Sequence, residues 1–427
     1  MKSDLFQKNG SSTLLPFCLV AVLFLLWGIA NNMTDTLLSA FKRIMSMTDA
    51  QTSLIQFAFY GAYFCFALPA AIFIQRRSYK AGVVLGLCLY AAGAILFFPA
   101  SKVASYTFYL VAIYILAGGC SILETTANPY IMAMGSPQTA TRRLNVAQSF
   151  NPLGSITGIL LSQFFILSEL SSADAADRAA MTASDLEQMQ AHELGAVTGT
   201  YMTVGFVLIA IMIVMLCVKM PEGSDGGAQI RIGESFRRLW SRRVYRGGVI
   251  AQFFYVGAQI GVWSFTIRIV MQELGILEKQ AATIYLVSII CFCISRFVFT
   301  WLMKFYKPSI LLLVASVGAI VASIVVVLGA GSGYVMIVAL VFVSVFMSLM
   351  FPTIYGIALC DAGQDTKIGA SGLIMAILGG ALLTPLQGIV SDRCGVYVSY
   401  LVPMVCFAVV LWYAWNCSKE ENKYLQR

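Results

Sequence analysis

Charge is scarce in this chain. Of 427 residues, 11% are Asp, Glu, Lys or Arg, and histidine occurs once. A soluble globular protein carries about 25% charged residues, so the chain cannot coat a water-exposed surface of its size. Soluble enzymes, disordered scaffolds and collagen-like chains are excluded. The lone His192 lies in a polar stretch, which rules out a histidine metal cluster. The cysteines number eleven, an odd count, with no CxxC pair; Cys291 and Cys293 stand nearest one another. Almost all lie in apolar runs, where cysteine is a small packing residue rather than half of a disulfide framework. No cofactor is expected.

What is abundant is apolar: 59% of residues are hydrophobic, with a mean hydropathy of +0.81. A membrane span takes about 20 mostly apolar residues. Twelve apolar stretches are legible, at 14–40, 51–74, 80–100, 106–134, 145–168, 201–219, 248–271, 279–303, 309–329, 334–360, 368–391 and 397–417. Runs this long must close their backbone hydrogen bonds internally in lipid, so they are helices. Barrel strands would alternate over about 10 residues, and no such pattern occurs. The first run has no small-residue cleavage site after it and is expected as a retained span rather than a signal peptide.

Lys and Arg in short loops set orientation. With the N-terminus in the cytoplasm, twenty basic residues fall inside and six outside. Both termini are therefore expected in the cytoplasm, in a cell inner membrane. The net charge of +8 then reports basic inner loops and not a nucleic-acid partner. Residues 169–200 read as a long acidic outer loop. Residues 220–247 read as a cytoplasmic linker ending in a basic amphipathic stretch, ESFRRLWSRRVYR, suited to anionic headgroups or to a regulatory partner. The expected domains are residues 1–219, a six-helix bundle; 220–247, the linker; and 248–427, a second bundle. The halves echo one another: Asn128-Pro129 in the fourth span answers Phe351-Pro352 in the tenth, and NPLGSITG in the fifth answers GGALLTPLQG in the eleventh. A duplicated six-span unit is the build of alternating-access carriers.

An ionisable group in the bilayer costs at least about 2.5–3.5 kcal/mol, so each one calls for a function. Of twenty acids only Asp35 and Glu124 lie well inside spans. Trp27, Asn31 and Asp35 recur every four residues and share a helical face with Asn32 alongside. An indole, amides and a carboxylate on one stripe suit a sugar, whose ring face stacks while its hydroxyls hydrogen-bond. Glu124 and Asn128 share a face of the fourth span, and Gln148 and Asn151 lie near one face of the fifth. In the seventh, Gln252, Gln259 and Trp263 form a stripe. Arg268 sits near a span end and can snorkel. Arg296 lies deeper and is expected to pair with a carboxylate or a helix C-terminus at the inner gate. Desolvation favours the neutral form of a carboxyl group, which suits a proton-coupled carrier; sodium coupling stays open.

The chain resembles the major facilitator superfamily, and closely the fucose/proton symporter family within it. The matching stretches are FLLWGIANNMTD, LIQFAFYGAYF, PAAIFIQRRSYKAG, GGCSILETTANP, RRLNVAQSFNPLG, AQFFYVGAQIGVW, PTIYGIALCDAGQDTK and LTPLQGIVSD, between about residues 17 and 393. The resemblance implies an all-α membrane protein of twelve helices in two pseudo-symmetric six-helix bundles. It implies that Asp35 and Glu124 carry the proton coupling, and that Asn31, Asn32, Gln148 and Asn151 are the family's amides. The full expected substrate set is Trp27, Asn31, Asn32, Glu124, Asn128, Gln148, Asn151, Gln252, Gln259, Trp263 and Tyr355. Two features depart from the family. Gln75 stands nearest to where the superfamily's loop signature carries an acid. Met350 and Phe351 precede Pro352 where a fucose carrier would have a polar or tyrosine pair, which leaves L-fucose, glucose, galactose or another hexose open.

The chain is thus expected to be a monomeric, proton-coupled importer of a monosaccharide, with sugar, protons and lipid as its partners. Rivals are a sodium-coupled or differently specific hexose carrier, a non-transporting sugar sensor, a membrane enzyme and a drug exporter. An enzyme would need a nucleophile–base or metal set that the spans lack. An exporter would need an apolar cavity without the amide stripes.

Overall fold

Backbone amides in lipid must be satisfied within their own segment, so the apolar runs become helices. The computed structural model describes residues 5–8, 11–45, 47, 49–103, 105–171, 175–218 and 232–425. The first half comprises α1 (Leu14–Ile44), α2 (Asp49–Arg76), α3 (Tyr79–Ile95), α4 (Phe97–Val103), α5 (Tyr106–Ala133), α6 (Ala140–Gln148), α7 (Phe150–Phe165), α8 (Ala175–Ala180) and α9 (Ala183–Cys217). Then follow α10 (Ile232–Ser241), α11 (Arg243–Leu274), α12 (Glu278–Leu302), α13 (Pro308–Leu328), α14 (Tyr334–Met347), α15 (Met350–Ala358), α16 (Thr366–Met375), α17 (Gly379–Cys394) and α18 (Leu401–Leu425). Among the described residues, twelve segments are long and apolar enough to cross a membrane. Twelve crossings bring both ends of the chain to one side, the termini side.

Several spans are not single helices. The fifth is α6 and α7 joined at Ser149; the tenth is α14 and α15; the eleventh is α16 and α17 joined by a 3-10 turn at Ala376–Leu378. Prolines account for two of these joints. Pro152 and Pro352 are each the third residue of the second helix, α7 and α15. Proline has no N–H to give the carbonyl four residues earlier and its ring crowds that carbonyl. The carbonyls released in this way are those of Gln148 and Ser348.

The segment expected as an outer loop, 169–200, is largely helical. Residues 175–180 form α8, and the sixth span begins at Ala183 rather than near 201. Thr182 caps α9 by accepting the Asp185 amide at 3.2 Å, a local start signal that hydropathy does not register. Arg178 holds Glu193 in a buried two-point ion pair at 3.0 and 2.6 Å, and Gln190 donates to the Ile44 carbonyl at 2.8 Å, tying α9 to the end of α1. The linker expected at 220–247 lies outside the described residues up to 231; beyond that, α10 and the first turn of α11 take its place.

Glycine sets the helix spacing beside the molecular axis. A Cβ on Gly154 of α7 would lie 1.9 Å from the Leu25 carbonyl oxygen of α1. In the second half, a Cβ on Gly379 of α17 would lie 1.9 Å from the Phe253 carbonyl oxygen of α11. The pairs α1–α7 and α11–α17 thus pack backbone to backbone in the same way, which gives the pseudo-symmetry its contact-level content. Forcing an extra methyl into such a contact costs about 1–3 kcal/mol. Gly154→Ala should therefore lower the thermal unfolding midpoint of the purified protein by several degrees. Gly61→Ala, where a Cβ meets nothing within 4 Å, should not lower it; equal midpoints for the two variants would dismiss the close-packing account.

Candidate functional site: a central polar cavity

The two halves meet first on the termini side. Asn145 of α6 donates to Thr353 Oγ1 of α15 at 3.3 Å, and Gly356 leaves room for Thr141, whose side chain a Cβ there would meet at 2.6 Å. The Lys367 ammonium of α16 lies 4.7 Å from the Tyr79 ring centre of α3, and Tyr79 stacks on Tyr130. Farther from the termini side, the halves part around a partly open polar cavity.

Seven of the expected residues reach its wall: Trp27, Asn31 and Asn32 from α1, Gln148 and Asn151 from the fifth span, and Gln259 and Trp263 from α11. Their stripes point inward because α1, α7 and α11 each turn one face to the axis. Asp35 lies on α1 one turn past Asn31, but its side chain is outside the described residues. Glu124, Asn128, Gln252 and Tyr355 were expected on the wall and instead sit behind it, fully buried or nearly so. Rings occupy the wall beside two of them. Tyr63 neighbours Glu124, and Phe351 stacks on Tyr355 with centroids 6.5 Å apart.

Behind the wall a short polar path leads from the cavity to the buried acid. Gln148 Nε2 donates to Asn128 Oδ1 at 2.8 Å, and Asn128 lies one helical turn from Glu124. Among the described residues Glu124 has no cation beside it and faces only the Asn128 amide, and the Tyr355 hydroxyl, the Gln252 amide and the Trp263 indole nitrogen have no hydrogen-bond partner. Buried polar groups are normally paired. Those named here lie on the cavity wall or directly behind it, where a polar guest would meet them.

Arg296 reaches the cavity from α12. It is buried and faces the two carbonyls released by proline: Nε donates to Ser348 O at 2.6 Å and Nη1 to Gln148 O at 2.9 Å. Its guanidinium also lies 4.7 Å from the Phe292 ring centre, which in turn packs edge-on against Trp263. The partner expected for it, a carboxylate or a helix C-terminus, is therefore two helix ends, one from each half. Arg268, by contrast, is exposed and lies over Phe265.

The wall also holds residues that were not singled out from the sequence, Gln56, Phe59, Tyr60 and Tyr63 of α2, and Phe351 of α15, noted there only as a departure from the family. Gln56, Tyr60 and Tyr63 are spaced by four and three within LIQFAFYGAYF, a helical stripe that was legible. Phe351 carries no polar signal. It meets Trp27 edge-on at 6.4 Å and Tyr255 at 6.4 Å, closing the floor with rings.

A two-fold repeated bundle of twelve membrane helices, divided by a polar cavity, is the architecture of alternating-access carriers. The family model described as Major Facilitator Superfamily matches residues 17–377, and the chain belongs to that superfamily. It is 42% identical to an L-fucose-proton symporter of Haemophilus influenzae over 95% of this chain and 97% of that one. It is 38% identical to the L-fucose-proton symporter of Escherichia coli, over 95% and 94%, and 31% identical to a glucose/galactose transporter of Brucella abortus, over 97% and 96%. The crystal structure of FucP, a superfamily transporter in the outward conformation, superposes with a TM-score of 0.87 at 36% identity, covering 94% of this chain and 98% of that one.

Hydrogen bonds to charged groups contribute about 1.5–3 kcal/mol each, and the Arg296–Gln148 bond crosses between the halves. Arg296→Met should loosen the termini-side closure. Spin labels on the exposed loop positions Gln138 and Asp361, one in each half, should shift toward longer separations in that background. An unchanged distance distribution would show that the guanidinium does not hold the halves together.

Proposed function

We propose that the chain is a proton-coupled sugar symporter that imports L-fucose or a related hexose by alternating access. The observation that carries this reading is the buried Glu124 carboxyl, with no cation beside it among the described residues and only the neutral Asn128 amide facing it. It stands one amide relay away from a cavity walled by amides and indoles. Ionising such a group costs heavily unless a counter-charge arrives. A group of this kind serves by exchanging a proton when the cavity is wet. Asp35, one turn beyond Asn31 on the same stripe, is the second proton-coupling acid. Asn31, Asn32, Gln148, Asn151 and Gln259 bind hydroxyls, with Trp27, Trp263 and Phe351 supplying apolar faces. Glu124, Asn128, Gln252 and Tyr355 act from behind the wall.

The sugar follows from kinship: the two relatives at 38–42% identity are named L-fucose-proton symporters, and the glucose/galactose transporter is more distant at 31%. The protein works as a monomer, since one chain encloses the whole cavity. It lies in the cell inner membrane with both termini cytoplasmic, as twenty basic loop residues against six support. On that orientation the termini-side contacts close the cytoplasmic path, and the cavity belongs to an outward-facing state.

Purified protein in vesicles should accumulate radiolabelled L-fucose when the outside is made acidic, with no change on swapping sodium for potassium. Glu124→Gln and Asp35→Asn should each abolish accumulation against a gradient. Accumulation retained in both variants would remove the proton assignment. Stronger uptake of glucose or galactose than of L-fucose in the same panel would move the specificity to the more distant relatives.

A further inference from the structure

Helix α10 is unlike the rest of the molecule. One face rests on the protein: Ser235 and Leu239 are buried. Arg238 grips Asp365 through two bonds, at 2.9 and 2.7 Å, and Arg242 just beyond the helix donates to the Cys360 carbonyl at 2.9 Å. The opposite face is aromatic and open. Phe236 and Trp240, one turn apart, are 52% and 42% exposed. They stack nearly parallel, with centroids 5.8 Å apart and planes 10° apart. Arg237 follows Phe236 on α10, and Arg243 and Arg246 stand in the first turn of α11; all three are exposed and without an ion pair among the described residues.

Position decides what such a plate meets. A single residue, Arg242, separates α10 from α11. At 1.5 Å per residue the 32 residues of α11 span about 48 Å, against about 30 Å of hydrocarbon. The first turns of α11, with α10 before them, therefore stand at headgroup level. Tryptophan is enriched there, where an amphipathic ring has one apolar and one wet side. Three unpaired guanidinium groups beside it complement negative charge, and basic residues near such a surface are attracted to anionic lipid. We propose that Phe236, Trp240, Arg237, Arg243 and Arg246 form an interfacial site for anionic phospholipid headgroups of the phosphatidylglycerol class. The rings enter the headgroup layer and the guanidinium groups bind phosphate. The lipid then bears on transport, because the same helix holds the 360–365 loop from which α16 enters the interface between the halves.

The test uses the full chain in vesicles of phosphatidylcholine containing either brominated phosphatidylglycerol or brominated phosphatidylcholine at equal fraction. The Trp240 signal is taken as the difference between the unaltered protein and Trp240→Phe, a conservative exposed change. Quenching of that signal should be about twofold stronger with brominated phosphatidylglycerol. Arg237→Gln combined with Arg243→Gln should remove the preference while leaving quenching by brominated phosphatidylcholine in place. Equal quenching by the two lipids in the unaltered protein would overturn the headgroup assignment. Quenching of Trp240 by aqueous acrylamide but by neither lipid would place the plate in water and assign it to a protein partner instead.

Discussion

One guanidinium ties together two chain breaks that proline creates. Pro152 and Pro352 each stand third in a half-helix and each release the carbonyl four residues earlier. In a membrane a released carbonyl must be satisfied by something. Arg296 satisfies both at once, Ser348 O within its own half and Gln148 O across the divide. The arrangement settles three matters together. It lets a cation exist deep in the bundle without a carboxylate. It fixes the bend in the fifth and tenth spans. It also makes closure of the halves depend on a bond that a tilt of one bundle would break.

The opposite situation holds for the acid. Among the described residues Glu124 has no fixed counter-charge, and its polar neighbour Asn128 is a neutral amide bonded to Gln148. A permanently paired carboxylate would be inert, because removing its proton or its partner would be costly in either state. A carboxyl without a fixed cation is free to exchange its proton when water or a polar cargo reaches it. The Trp263 indole nitrogen on the wall and the Gln252 amide behind it share this condition: among the described residues neither has the partner that a hydroxyl-rich solute could supply. On the role proposed above, the wall and the acid behind it serve one event, entry of a polar cargo together with a proton.

Much of the fold was legible because lipid leaves the chain few options. A run such as LLLVASVGAIVASIVVVL can only be a helix, and α13 begins within a residue of the expected start. What escaped was structure made by polar residues and by distance. The acidic stretch before 201 reads as loop by hydropathy, yet the Thr182 cap and the Arg178–Glu193 pair build helix there. The stripes on α1, α7 and α11 were legible because helical spacing is local. The partners of Arg296 were not, since Gln148 and Ser348 lie 148 and 52 residues away in sequence. Phe351 was noticed only as a missing hydroxyl, whereas the structure makes it part of the wall, between Trp27 and Tyr255.

The pseudo-symmetry is exact in packing terms only at the glycine contacts; in charge it is deliberately unequal. The acids Asp35 and Glu124 both belong to the first half, and Arg296, the guanidinium at the cavity, belongs to the second. Gln148 is where the two meet. Its amide nitrogen binds Asn128 on the path to Glu124, while its carbonyl oxygen binds Arg296. A change of charge or hydration at the acid reaches Asn128 first, then the Gln148 side chain, and through the same residue the bond that holds the halves closed. On the proton role proposed for Glu124, coupling to conformation needs no long relay: Gln148, at a proline-weakened joint, makes both bonds, its side chain to Asn128 and its carbonyl to Arg296.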